Sequence, residues 1–99
     1  MLFDLTGKVV LVAGGAGYLG QAMCKGLAGQ GASVMVADIA SDRAEALAVQ
    51  LQSDGAKAAA IHLDVGDEAS IRSAVASATE TFGRLDVLVN ATFADAGKT

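Results

Sequence analysis

The chain has no proline, one cysteine, one histidine, no cluster of basic residues and no long apolar run. The single thiol, Cys24, excludes an intrachain disulfide, and with no cysteine or histidine beside it in sequence it makes a poor metal ligand. It is expected to be a small buried hydrophobe on a helix. Lacking a Lys/Arg run and carrying a net charge of −4, the chain is not expected to bind nucleic acid. No stretch approaches the ~20 apolar residues of a membrane span, so no membrane partner is expected. The start, Met1 to Lys8, lacks the basic and apolar regions of a secretion signal. A cytoplasmic location is the expectation. Twelve glycines without any proline argue against a disordered linker and for tight turns between regular elements. We find no internal repeat and no low-complexity segment.

What is present is enough for one folded domain. The 99 residues exceed the ~40 below which disulfides or metals are usually needed, and an apolar fraction of 53% supplies a core, finely packed because much of it is alanine.

The order of elements follows from the periodicity. Lys8 to Ala13 is a short, continuous, β-branched apolar run, the pattern of a strand buried on both faces. Gly14 to Gly17 breaks it. From Tyr18 to Gln30 the period is helical, with Leu19, Ala22, Met23, Gly26 and Leu27 on one face, and Gly29 and Gly31 suit the helix end. Ser33 to Asp38 is a second buried strand. Ser41 or Asp42 is positioned to cap the next helix, where Ala44, Leu47, Ala48 and Leu51 form the apolar stripe. Lys57 to Leu63 is a third strand. Asp67 and Glu68 open a third helix, complementing its dipole, with Ile71, Val75, Ala78 and Phe82 expected to be buried and Gly83 at its end. Leu85 to Asn90 is a fourth strand, and Ala91 to Thr99 a short polar tail. The pattern β-α-β-α-β-α-β predicts an α/β Rossmann-type parallel sheet, because right-handed crossovers must cover its faces. The expected strand order is 3-2-1-4. Residues 1–91 would form the N-terminal part of a dinucleotide-binding domain, with 92–99 as a tail.

Chemistry enters at the first strand-to-helix turn. The motif G-x-G-x-x-G is present as Gly15, Gly17 and Gly20, and equally as G-x-x-G-x-x-G through Gly14, Gly17 and Gly20. Either frame allows a sharp turn, lets a diphosphate approach a backbone free of Cβ atoms, and presents the N–H groups of a helix start. The motif alone is weak, but here it follows a strand and opens a helix. Asp38 ends the second strand, 18 residues after Gly20. A carboxylate there accepts from the adenosine ribose hydroxyls and repels a 2′-phosphate. Ile39 and Ala40 follow it, and the first basic residue, Arg43, falls inside the expected helix. These features favour NAD over NADP.

The segments Gly7 to Val12, the glycine turn, Asp38, Leu63-Asp64-Val65 and Leu85-Asp86-Val87-Leu88-Val89-Asn90-Ala91 together resemble the short-chain dehydrogenase/reductase family. The likeness runs from Leu2 to Ala91 but covers less than half of the family's usual domain. It implies that Gly14, Gly17 and Gly20 line the pyrophosphate, that Tyr18 and Leu19 contact it, and that Asp38, followed by Ile39, holds the adenosine ribose. It also implies that Asp64 and Val65 meet the adenine edge, and that Asn90 and Ala91 lie beside the cofactor. The chain departs from the pattern in two places. Ala13 stands where the family usually has Thr, and Asn90-Ala91-Thr92-Phe93 where Asn-Asn-Ala-Gly is common. The glycine spacing with Tyr18 also resembles the extended branch of sugar-nucleotide epimerases and dehydratases. The start and the Asn-Ala ending are closer to the single-domain dehydrogenases.

The resemblance places the catalytic Ser and Tyr-x-x-x-Lys beyond the fourth strand. The only tyrosine here is Tyr18, with Ala22 four residues on. His62 is expected to be structural or partly exposed. Acid/base work needs a group within hydrogen-bond reach of the reacting oxygen, so no catalytic residue is assigned and this chain by itself is expected to be inactive. A standalone nucleotide-binding or assembly module, and a remnant that folds but binds nothing, are the alternatives. Asn90-Ala91-Thr92 matches a glycosylation sequon, but the chain shows no secretion signal. Gly97-Lys98-Thr99 resembles the end of a P-loop but has Thr92 where that motif needs glycine. Asp64, Asp67 and Glu68 read as adenine edge and helix cap rather than as a metal cluster. A fourth strand left as a sheet edge would expose Val87, Leu88 and Val89 and promote homo-oligomers through that edge or through uncovered sheet faces.

Overall fold

The computed structural model describes residues 4–92. Seven elements alternate: β1 (Val9–Ala13), α1 (Tyr18–Gly29), β2 (Ser33–Asp38), α2 (Ser41–Ser53), β3 (Ala58–His62), α3 (Glu68–Phe82) and β4 (Val87–Asn90). The strands form one parallel sheet in the order β3-β2-β1-β4. Fold class, element order and strand order are those expected from the sequence. Phe93 and the rest of the tail lie outside the described residues.

The continuous apolar strands follow from burial on both sides. Val10, Val12, Val34 and Val36 pack with Cys24 of α1 and with Ala44, Leu47, Ala48 and Leu51 of α2 on one face. Leu11, Ala13, Met35 and Ala37 pack with Ala74 and Ala78 of α3 on the other. All five β1 residues are buried, so every position of that strand must be apolar.

Three local expectations are corrected. The buried side of α1 is Gly20 and Cys24, with Met23, Leu27 and Ala28 partly buried, while Leu19, Ala22 and Gly26 are exposed. The rotation brings Gly20 against the turn, where a larger side chain would hold the helix away. The N-cap of α2 is Ala40, and no side chain caps it. Ser41 and Asp42 are already helical. In α3 it is Ala74 rather than Val75 that joins Ala78 in the core, with Ile71 and Phe82 partly buried. Asp67 does cap that helix, accepting from the Ala69 N–H at 3.0 Å, and Gly83 ends it in the left-handed region.

Among the described residues, the outer edge of β4 has no strand beside it. No helix among them packs on β4; Val87 and Leu88 are 46% and 54% exposed, but Val89, expected to be exposed with them, is partly buried against the core. The start of β4 is tied to β1 by polar bonds instead. The Asp86 carboxylate accepts from the Val9 N–H at 2.8 Å, and Asp86 N–H donates to the Val9 carbonyl at 2.9 Å. Arg84 grips the other Asp86 oxygen at 2.7 and 3.1 Å. That guanidinium, with the Val9 N–H, holds the Asp86 carboxyl below the usual carboxylate range.

Candidate functional site

The expected site residues gather at the C-terminal ends of the strands, the edge where open parallel sheets bind ligands. Gly14, Asp38, Ile39, Leu63, Asp64, Val65 and Thr92 line a small cleft of about 110 Å³. A larger hollow of about 580 Å³ lies at the opposite end, between the last turns of α1 and α2, and includes Lys25, Lys57 and Asp54. It is remote from the glycine turn and from Asp38, so its size alone does not mark it as the site.

The turn between β1 and α1 resolves the two glycine frames. Gly14 takes φ +77°, a conformation that side chains rarely adopt, and a Cβ there would lie 2.8 Å from the Thr92 Cγ2. A Cβ on Gly20 would lie 2.0 Å from the Gly14 carbonyl oxygen, so this glycine lets α1 seat directly on the turn. Gly15 faces inward, where a Cβ would meet Val36 at 2.9 Å and the Val12 carbonyl at 3.0 Å. Its role is internal packing. Gly17 differs from all three. A Cβ there would meet only the Gly14 carbonyl oxygen, at 3.3 Å. That contact is tight but is relieved by a shift of a few tenths of an ångström, so packing within the protein demands glycine less here than at Gly14, Gly15 or Gly20.

The backbone donors divide into two groups. Gly14 and Gly15 N–H both donate to the Ala37 carbonyl, at 2.8 and 3.0 Å, and Gly17 N–H donates to the Gly14 carbonyl at 3.1 Å. The turn's own amides are therefore used internally. The first turn of α1 is different. Its N-cap, Gly17, supplies no side-chain cap, and the N–H groups of Tyr18, Leu19 and Gly20 lie ahead of the first intrahelical bond. Tyr18 and Leu19 are 97% and 46% exposed beside them.

Asp38 closes the site from β2. One carboxylate oxygen accepts from the Ala16 N–H at 2.9 Å and the other from the Ala40 N–H at 2.9 Å. The acid and the glycine turn, 22 residues apart in sequence, are thus in direct contact. Ile39, next in the chain, is 64% exposed, and Val65 across the cleft is 44% exposed. Asp64 turns its carboxylate back to accept from the Gly66 N–H at 2.9 Å, and its own N–H donates to the Ser70 hydroxyl. Asn90 pairs in register with Ala13. Its side-chain oxygen accepts from the Thr92 N–H at 3.0 Å and from the Thr92 hydroxyl. Ala91 is buried and donates to the Ala13 carbonyl at 2.8 Å. Ala13 itself packs against the α3 side of the sheet.

Two residues went unrecognised in the sequence. Arg43 sits in the first turn of α2, yet its guanidinium reaches the Ala16 carbonyl at 3.3 Å, and Gln21 of α1 reaches the same oxygen at 3.1 Å. Only a signal for side chains converging across three elements could have found them, and no linear motif carries one. His62 is exposed and stands opposite Asp38 in the β2–β3 register. Among the described residues, no group of three or more His, Cys, Asp or Glu side chains is close enough to hold a metal. No helix among them is long and apolar enough to cross a membrane.

Known proteins resemble this chain in sequence and fold. A 2,5-dichloro-2,5-cyclohexadiene-1,4-diol dehydrogenase of Sphingobium indicum is 42% identical over 86 residues, 87% of this chain and 34% of that protein. A D-threitol dehydrogenase of Mycolicibacterium smegmatis is 40% identical over 88 residues, 89% of this chain and 34% of that protein. Among solved structures, a short-chain dehydrogenase/reductase from Serratia marcescens matches with a TM-score of 0.83 at 45% identity, covering 88% of this chain and 36% of that one. A hydroxysteroid dehydrogenase from Escherichia coli matches with a TM-score of 0.85 at 31% identity, covering 88% and 36%. The chain therefore spans about a third of the length of these relatives. Residues 8–98 match the family profile of the short chain dehydrogenases, and the chain belongs to that family.

Proposed function

We propose that this chain is the NAD-holding front of a dehydrogenase that moves hydride between the nicotinamide and an alcohol or carbonyl substrate. The observation that carries this reading is the 2.9 Å hydrogen bond from Ala16 N–H to Asp38. It sets a ribose-binding carboxylate against a glycine turn that opens a helix. The residues suit the cofactor. The uncapped N–H groups of Tyr18, Leu19 and Gly20 and the positive end of α1 receive the diphosphate. Gly17 leaves the space its oxygens need. Each Asp38 oxygen has a lone pair left for a ribose hydroxyl, and the carboxylate repels a 2′-phosphate. Ile39 and Val65 flank the adenine with exposed apolar surface, and the Asp64 backbone edges it. Asn90 and Ala91 border the path towards the nicotinamide, which when bound supplies the hydride-accepting ring.

The relatives matched are dehydrogenases, which favours this reading over an extended-type epimerase or dehydratase and over a module without catalytic kin. Substrate contacts and the proton-transferring groups are assigned to the portion that such proteins carry after the fourth strand.

Titration calorimetry with NAD and NADP tests the site. NAD is expected to bind more tightly than NADP. Gly17→Ala is expected to cost the fold no more than about 1 kcal/mol, as a helix N-cap change, while weakening NAD by about tenfold or more, equivalent to about 1.4 kcal/mol. Asp38→Ala should weaken NAD and narrow the preference over NADP. Parent-like NAD binding by both variants would place the nucleotide elsewhere.

A further inference from the structure

One residue of the turn is held from three elements at once. Ala16 is 2% exposed. Its N–H donates to Asp38 at the end of β2. Its carbonyl accepts from Gln21 Nε2 of α1 at 3.1 Å and from Arg43 Nη2 of α2 at 3.3 Å. Neither Gln21 nor Arg43 belongs to the glycine motif.

The turn needs such support. Residues 14–17 are three glycines and an alanine. Ordering each costs about 1–2 kcal/mol of backbone entropy, with glycine at the high end. No side chain of their own anchors them, and the Ala16 carbonyl precedes the helix, so no intrahelical bond uses it. An unsatisfied buried carbonyl would itself be destabilising.

We infer that Gln21 and Arg43 are positioning residues. By gripping the Ala16 carbonyl they set the turn, and with it the start of α1, in the diphosphate-receiving conformation before nucleotide arrives. The inference rests on the proposed nucleotide site for its consequence, but the clamp itself is a property of the free protein. The two donors act from different helices, so the clamp also fixes the start of α2 relative to α1. Because one Arg43 nitrogen is committed to Ala16, the guanidinium is oriented by the turn rather than left to follow a ligand.

Gln21→Met keeps the side chain's length, removes its N–H donor and changes no charge. Arg43→Met and the double variant complete the set. The first readout is amide exchange by NMR in the nucleotide-free protein. Losing one hydrogen bond worth about 1 kcal/mol should speed exchange at Gly15, Ala16 and Gly17 by about fivefold in Gln21→Met, and by more in the double variant. The amides of Leu11 and Val12 in β1 should not change, which shows that the fold is intact. The second readout compares ADP with adenosine. Gln21→Met should weaken ADP by about fivefold and leave adenosine within the error of the parent, because adenosine lacks the diphosphate. Unchanged exchange in the double variant overturns the clamp. Equal weakening of ADP and adenosine, or faster exchange with unchanged ADP affinity, overturns its role in receiving the diphosphate. If the parent binds neither ADP nor NAD, the proposed function fails, while the exchange comparison still decides whether the clamp exists.

Discussion

The contact between Gly20 and the turn sets how close α1 sits to the sheet, and a single methyl group tests it. In Gly20→Ala the new Cβ would lie 2.0 Å from the Gly14 carbonyl oxygen, 2.7 Å from the Gly15 Cα and 2.8 Å from the Gly14 carbonyl carbon. All three are backbone atoms, so no side chain can swing aside. Carbon–oxygen contacts begin at about 3.3 Å, which leaves α1 or the turn to move by about 1.3 Å. A gap of 0.5–1 Å already forfeits a quarter to a half of a dispersion contact. The helix rests on the core through Cys24, Met23, Leu27 and Ala28, so a shift of this size loosens the whole interface. With overpacking at about 1–3 kcal/mol, the combined loss is about 2–4 kcal/mol. That corresponds to a fall in Tm of about 10 °C or more for a domain this small. Gly26→Ala is the control. Gly26 lies in the same helix, and a methyl added there would meet nothing within 4 Å, so alanine should stabilise by about 0.8–1 kcal/mol through helix propensity. Urea unfolding followed by far-UV circular dichroism suits a chain without tryptophan. Gly20→Ala as stable as the parent, or Gly26→Ala equally damaging, would refute the close seating of α1.

Cys24 is fully buried, and burial pushes its thiol up to about 12. It therefore stays protonated at pH 8, and a disulfide reagent should label it only as fast as the protein unfolds; rapid stoichiometric labelling of native protein would contradict the packing of α1. Asp86 has a depressed carboxyl, so its contribution to stability is present above the unfolded value near 3.9 and is lost as pH falls through its lower folded value. The gap in urea midpoint between the parent and Asp86→Asn should narrow below about pH 4, and a gap independent of pH would exclude a role for the ionised Arg84–Asp86–Val9 contact. The exposed Val87 and Leu88 on the β4 edge should make the 99-residue chain self-associate. Light scattering after size exclusion should show species larger than a monomer, reduced by Leu88→Lys, and a clean monomer at high concentration would count against it.

Sequence alone determined the elements and the class of the fold. Unbroken apolar runs such as Val9–Ala13 can satisfy both faces of a strand only inside a parallel sheet covered by helices, and the glycine and acid positions between the runs marked the turns. Local chemistry was legible where it depended on neighbours in the chain, as with Asp67 capping α3 and Gly83 ending it. It failed where a helix could turn either of two faces inward. The stripe beginning at Leu19 and that beginning at Gly20 are nearly equal in periodicity, and only the close approach of Gly20 to the Gly14 carbonyl decided between them. The site divides in the same way. Gly14, Gly17, Gly20 and Asp38 could be named from spacing. That Gly15 packs inward, that Asp38 touches the turn, and that Gln21 and Arg43 meet at one carbonyl depended on how α1, β2 and α2 come together. Hydrogen bonds between residues far apart in the chain form only when the packed elements fix their distance and direction, and a linear pattern carries neither.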